Sequence, residues 1–492
     1  MKNFMKYFYA AFFAGLLFLA SCNPNSNTIN TTPGAGSADF NSYVAVGNSL
    51  TAGYADGALY TSGQKVGWAN ILAQQLKVVG MKTPFTIPFM PTENGVGFSE
   101  GSTGVPVFRT KFVLGYSIDC LGKLSLGPVP ANPNASQSKL YSYLFTSVAQ
   151  QGPYHNLGIP GIRVTDLFKT NLAQTNPFFT RIAYHTTDTL ETYAAKVHPT
   201  FFSLWIGNND VLGYAASGGV SSITPMDGAV GVGFKASMDA EVKYLTGLTG
   251  KGVIADIPDI TSIPYFNTIP YNSIVLSNQT QADLLNAAYS KYNAAMAQMG
   301  LPYKIHFQVG PNPMVIADPE IPLPDSLSNL KIRQMKSDEL VTLEMPLDSL
   351  KCAGWGSIKP VPNEYILTES EIKNVTEATN AFNSIMADLA KQYNLAFIDF
   401  NSIMKSIDKN GGITEDGIKF TTKYITGNLF GLDGIHLSPR GNALVANYFI
   451  DAINKKYGSQ IPKVNVSMYP AIKMPTMNNS SLKTIPVEKI IK

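Results

Sequence analysis

The run Tyr43-Val44-Ala45-Val46 is apolar at every position and stops at Gly47-Asn48-Ser49. Such a run reads as a buried strand, and the glycine after it permits a tight turn. A serine is thereby delivered to the carboxyl end of a strand, the end that faces the ligand crevice in open α/β sheets. Its hydroxyl there is either a nucleophile or part of a polar turn.

The far end of the chain bears on that choice. In Gly431-Leu432-Asp433-Gly434-Ile435-His436-Leu437-Ser438-Pro439, an aspartate precedes a histidine by three residues. Ser438 and Pro439 then read as the N-cap and first-turn residue of a helix running to about Tyr457. A serine hydroxyl needs an adjacent base to become nucleophilic, and an imidazole base needs a partner to fix its tautomer. Of the five histidines (His155, His185, His198, His306 and His436), only His436 has an aspartate at the minus-three position.

Gly47-Asn48-Ser49-Leu50 resembles the first block of the GDSL, or SGNH, hydrolases, and Asp433-Gly-Ile-His436 resembles the last. His155-Asn156-Leu157-Gly158-Ile159-Pro160-Gly161 is similar to the second block and Trp205-Ile206-Gly207-Asn208-Asn209-Asp210 to the third. The resemblance implies an α/β fold: three layers, α/β/α, around a mainly parallel, flavodoxin-like sheet. It implies catalysis by Ser49, Asp433 and His436, with an oxyanion hole from the backbone N–H of Ser49 and Gly161 and the side-chain amide of Asn209. Asn48 stands where the family has aspartate. It keeps a carbonyl acceptor, so a hydrogen bond bracing the turn is expected to survive.

Before the first block, Lys2 and Lys6, the apolar stretch Tyr7 to Leu19 and Leu19-Ala20-Ser21-Cys22 resemble a bacterial lipoprotein signal over residues 1–22. Acylation of Cys22 would tether the protein to a membrane, expected to be the outer one, facing periplasm or cell surface. Residues 23–38, rich in Asn, Thr, Ser, Pro and Gly, read as a flexible tether. The four blocks span most of the chain beyond that tether, so one hydrolase domain over 39–460 is expected, with a C-terminal tail over 461–492. The net charge of +3 is too small to argue for a nucleic-acid partner.

Strand and helix patterns alternate along the body, which argues for a parallel sheet covered on both faces. Helices are expected at Trp68–Val79, Phe234–Leu248 and Gln281–Met299, and from the capping box Thr368-Glu369-Ser370-Glu371 to about Tyr393. A hairpin turning at Asp416-Gly417 is expected just before Asp433. Two inserts interrupt the pattern, at about 81–150 and 311–362. Each holds one cysteine, Cys120 and Cys352, which are either bridged, as export would allow, or two buried free thiols. The charges at Lys331 to Glu339 read as solvated surface.

The first insert contains a rival motif, Gly97-Phe98-Ser99-Glu100-Gly101, matching the G-x-S-x-G elbow of α/β-hydrolases. That elbow needs a strand before it and a helix after it. Flanking prolines and glycines supply neither, so Ser99 reads as a loop serine. The same insert carries Phe85, Phe89, Phe98, Phe108 and Phe112, which either line the cleft, favouring an apolar acyl chain, or pack the insert itself. The expected activity is hydrolysis of carboxylic esters through an acyl-enzyme, with no cofactor and no metal. The resemblance leaves open a lipid, a short acyl ester or an acetylated glycan as substrate. A polysaccharide O-deacetylase and a non-catalytic surface binding lipoprotein are the alternatives.

Overall fold

The computed structural model describes residues 33–100 and 106–475. Cys22 with its leader, Gly101 of the rival motif and residues 476–492 lie outside that range. Five strands, β1 (Tyr43–Gly47), β2 (Asn156–Gly158), β3 (Phe201–Trp205), β4 (Gly252–Ala255) and β5 (Ala396–Ile398), form one sheet in the order β5-β4-β3-β1-β2. Every pairing in it is parallel. All residues of β1, β3 and β4 are buried, as expected of parallel strands covered on both faces.

The helices that cover the sheet and carry the site are α1 (Ser49–Ala52), α2 (Trp68–Val78), α3 (Asn208–Ala216), α4 (Phe234–Thr249), α5 (Glu369–Gln392), α6 (Phe400–Lys409) and α7 (Pro439–Tyr457). Phe201 and Trp205, four residues apart on β3, share one face of the sheet. Phe201 packs on Phe40 and Tyr457, and Trp205 on Trp68, Phe400 and Phe449. Trp68 and Phe449 stack with centroids 4.0 Å apart, joining α2 to α7 over that face. On the opposite layer Phe234 of α4 stacks on Phe382 of α5 at 3.8 Å. The molecule is thus a three-layer α/β/α sandwich.

Local signals in the sequence account for several boundaries. Thr368 and Glu371 make the reciprocal capping box that opens α5, and Ser438 caps α7 with Pro439 in its first turn. Asp416 and Gly417 take positive φ of 48° and 78°, turning the hairpin Ile413–Glu415 to Ile418–Phe420. The expected helix from Gln281 to Met299 is instead two, Gln279–Ala288 and Ser290–Gln298. The break falls at Tyr289, whose ring is held against Tyr292 and Phe307 and whose hydroxyl donates to the Ser357 carbonyl.

Those two helices belong to a second apolar core, which gathers Met296, Phe307, Met314, Ile316, Val341 and Val361 apart from the sheet. Beside it the charged run Lys331 to Glu339 is not simply solvated surface. Arg333 and Glu339 are buried, and the Arg333 guanidinium donates to Asp318 at 2.6 Å and to both Glu339 oxygens at 2.6 and 2.8 Å. Alternate residues of the short strand Ile332–Gln334 face opposite ways, so one cation in the run points inward.

The first insert is built from the hairpins Gly97–Glu100 with Pro106–Arg109 and Phe112–Ile118 with Leu124–Pro130, followed by the helix Gln137–Phe145. Ser99 therefore lies in a hairpin strand, without the strand-to-helix elbow its motif would need. At the tip of the longer hairpin Cys120 is disulfide-bonded to Cys352, and an ion pair of 2.9 Å between Asp119 and Lys351 lies next to it. Both cysteines are exposed. The two inserts, far apart in sequence, are thereby joined.

Removing the buried cation gives a direct test of the second core. Arg333→Ala leaves two buried carboxylates without their partner and should lower unfolding free energy by about 3–5 kcal/mol in urea titrations. An unchanged transition would show that the charges are solvated after all.

Candidate active site

The sheet register brings three loops to one level. Gly47 pairs with Gly158 of β2 on one side and with Trp205 of β3 on the other. The segments leaving these residues, Asn48-Ser49, Ile159 to Gly161 and Ile206 to Asn209, therefore emerge together at the carboxyl edge. Gly158 allows the approach, because a Cβ there would lie 2.1 Å from the Ala52 nitrogen of α1. Asn48 caps α1 by accepting from the Leu50 N–H at 3.1 Å, the turn-bracing bond expected of its carbonyl.

The loop before α7 closes over this edge. The His436 Nε2 lies 2.9 Å from the Ser49 hydroxyl, and its Nδ1 lies 2.9 Å from Asp433 Oδ2. Asp433 is buried and fully engaged. Its Oδ1 accepts from the backbone N–H of Ile435 at 2.9 Å and of His436 at 2.8 Å, and its Oδ2 accepts from Gly57 N–H at 2.7 Å. Burial alone would push this carboxyl up, but the imidazole and the backbone donors together hold it well below the usual range. A charged carboxylate fixed against Nδ1 leaves Nε2 free to take the hydroxyl proton.

Neighbours that the motifs did not announce hold this loop in place. Asp56 accepts from the Leu432 N–H at 2.7 Å and from the Tyr60 hydroxyl at 2.7 Å. Burial raises its carboxyl above the ordinary value. Tyr424 donates to the Leu432 carbonyl, and the Tyr54 ring lies 4.7 Å from the His436 ring. The signal for Asp56 and Gly57 was the turn-forming Asp-Gly pair itself, which does not disclose what it would meet more than 370 residues later.

On the other side of Ser49, the backbone N–H groups of Ser49 and Gly161 make no hydrogen bond among the described residues. Gly161 sits at φ +85°, exposed, with open space where a Cβ would be. The Asn209 amide donates to the Ile162 carbonyl at 2.8 Å, which leaves its second hydrogen available. The next residue, Asp210, is fully buried and accepts from Val164 N–H at 3.0 Å, pinning the turn that follows Gly161. Burial outweighs that hydrogen bond and pushes the Asp210 carboxyl up to about 7.

Ser49, Asn209 and His436 together border a narrow cavity of about 70 Å³, walled by side chains such as Leu50, Leu212, Ile263 and Ile407. Of the first insert's phenylalanines, Phe85, Phe89, Phe108 and Phe112 do not line it. Phe85 stacks on Tyr43, Phe108 meets Tyr141 and Phe89 is exposed. Phe112 lies under the Arg109 guanidinium. Of the other histidines, His155 is buried against Thr86 and pushed down to about 4 by that burial. Among the described residues no group of three or more His, Cys, Asp or Glu side chains could hold a metal ion.

Residues 43–449 match the sequence model of the GDSL-like lipase/acylhydrolase family, which is most of the chain. The chain belongs to that family. It is a serine hydrolase acting on esters. No curated protein and no solved structure matches it.

In this GDSL hydrolase the buried Asp210 links the site to pH. The folded state keeps a proton on Asp210 up to about pH 7, whereas the unfolded chain releases it near pH 4, at about the ordinary aspartate value. Its contribution to stability is thus greatest below that lower value and declines as pH rises through the interval. Asp210→Asn keeps an acceptor for Val164 and removes the proton exchange. Melting temperature plotted between pH 4.5 and 7.5 should fall less steeply in the variant, and parallel slopes would contradict the assignment.

Proposed function

We propose that the protein hydrolyses carboxylic esters of short acyl groups through an acyl-enzyme on Ser49. The observation that carries this reading is the 2.9 Å contact between the Ser49 hydroxyl and an imidazole whose other nitrogen is held by a buried carboxylate. His436 removes the hydroxyl proton as Ser49 Oγ attacks the carbonyl carbon, and returns it to the alcohol as the ester C–O bond breaks. A water then attacks the acyl-enzyme, giving its proton to His436, and the acid leaves as Ser49 regains a proton. Asp433 orients the imidazole and stabilises its charged form throughout.

The N–H groups of Ser49 and Gly161 and the free hydrogen of Asn209 are the donors for the tetrahedral oxyanion. The small cavity beside Ser49 supports a short acyl group, since 70 Å³ is far below the several hundred Å³ of pockets that enclose drug-sized ligands. Such a group is equally that of a glycan O-acetyl ester, so the acyl side alone does not choose the alcohol.

In the same reading, Cys22 is the lipidated residue of a bacterial lipoprotein, and the body faces periplasm or cell surface. The exposed Cys120–Cys352 disulfide supports an oxidising compartment. Cys22→Ala should move the expressed protein from the membrane fraction to the soluble one. Retention in the membrane would refute the anchor without touching the chemistry.

For the chemistry, Ser49→Ala should abolish hydrolysis of 4-nitrophenyl acetate, and Asn209→Ala should lower turnover on the order of 100-fold to 1000-fold. Full activity of the serine variant would overturn the mechanism.

A further inference from the structure

The narrow cavity at Ser49 has a much larger neighbour. A groove of about 1390 Å³ runs between the long hairpin of the first insert and the second insert, and reaches the loop that carries His436. Ile435 borders both spaces, and so does one short segment, with Ile263 on the cavity and Tyr265 on the groove. The two spaces thus meet at the residue next to the imidazole. An ester held at Ser49 has two ends, and these two spaces differ greatly in what they admit.

The groove's wall is mostly apolar, with Ser125, Thr268, Ser273 and Gln281 among its polar members. Val275, Leu284 and Ile358 line it while 69%, 67% and 71% exposed, and Leu126 and Leu347 add to the same surface. Apolar surface left open in one concavity marks a binding site rather than ordinary exposure. Its three aromatic residues are each engaged elsewhere, so no pair of open rings is set up to sandwich a sugar. Phe112 is capped by the Arg109 guanidinium at 4.8 Å, Tyr265 is buried edge-on to Phe266, and Tyr424 is tied to the Leu432 carbonyl. Of the charged wall residues, Asp433 is held by His436 and Lys351 is paired with Asp119. Arg109 and Glu344 have no ion-pair partner among the described residues and carry opposite signs. No net charge is selected.

We propose that this groove is the leaving-group site, and that the substrates are short-acyl esters of bulky, uncharged aliphatic alcohols. The proposal rests on the esterase reading above and adds the identity of the alcohol. When the ester C–O bond breaks, His436 protonates the alcohol oxygen at the junction, and the aliphatic body leaves along the groove. The disulfide and the adjacent ion pair keep the groove's two walls together. A long acyl chain has no comparable space on the cavity side.

The test compares kcat/KM of the full chain on ethyl acetate, decyl acetate in nonionic micelles, acetylated xylo-oligosaccharides and ethyl palmitate, with 4-nitrophenyl acetate as reference. Decyl acetate should exceed ethyl acetate at least tenfold, and should exceed both the oligosaccharides and the palmitate. Val275→Asp and Leu284→Asp, at exposed positions in the groove wall, should each lower the decyl acetate value about tenfold relative to that on ethyl acetate, whose two-carbon alcohol is too short to fill the groove. Equal values for ethyl and decyl acetate, preference for the oligosaccharides or the palmitate, or variants that leave decyl acetate unaffected would each overturn the proposal. A wild-type protein inactive on 4-nitrophenyl acetate would instead strike the esterase reading itself.

Discussion

A carboxylate taken out of water is costly unless donors replace the water, and the site depends on how Asp433 meets that requirement. Four donors converge on it: the N–H groups of Gly57, Ile435 and His436, and the imidazole Nδ1. The Gly57 N–H comes from the loop after α1, and the others come from the loop before α7. Satisfying one buried charge therefore joins the two ends of the domain and turns the imidazole toward Ser49. Asp56 repeats the link one residue earlier, by accepting from Leu432.

The parallel ladder supplies the other half of the arrangement. Because β2 and β3 flank β1 in fixed register, the loops of Gly161 and Asn209 need no long-range device of their own to meet Ser49. Asn209 and Asp210 then brace the Gly161 turn through Ile162 and Val164. Among the described residues, the inserts hung from this frame build a separate core and a wall. The pattern is a common one for α/β enzymes, with a rigid sheet fixing the chemistry and the loops around it shaping access.

The sequence made the frame legible because its signals are local. An unbroken apolar run ending at Gly47 specifies a strand and turn, Thr368 with Glu371 specifies a helix start, and Asp416-Gly417 specifies a hairpin. The conjunction of four ordered blocks, rather than any one, pointed to residues that the fold brings into contact at Ser49 and His436. What stayed hidden was set by tertiary packing. Periodicity over 281–299 could not show that Tyr289 would be claimed by a second core and split the helix. A mixed-charge run could not show that Arg333 and Glu339 point inward, paired with each other and with Asp318. The phenylalanines of the first insert left open whether they line the cleft or pack the insert, and the described side chains at the serine come from α1, α3, α6, α7, the Ile263 segment and the His436 loop. Tyr54, Asp56 and Gly57 carried at most a turn signal, since their role exists only when the last loop closes on them.

The central claim is that the Ser49 hydroxyl is activated by His436 across nearly the whole length of the chain. Labelling by an organophosphonate, located by peptide mass mapping and timed in wild-type and His436→Ala proteins, tests that coupling most directly. The account requires one stoichiometric adduct on Ser49 in the wild type and labelling slowed by orders of magnitude without the imidazole. An adduct on another serine, or the same labelling rate in both proteins, would contradict it.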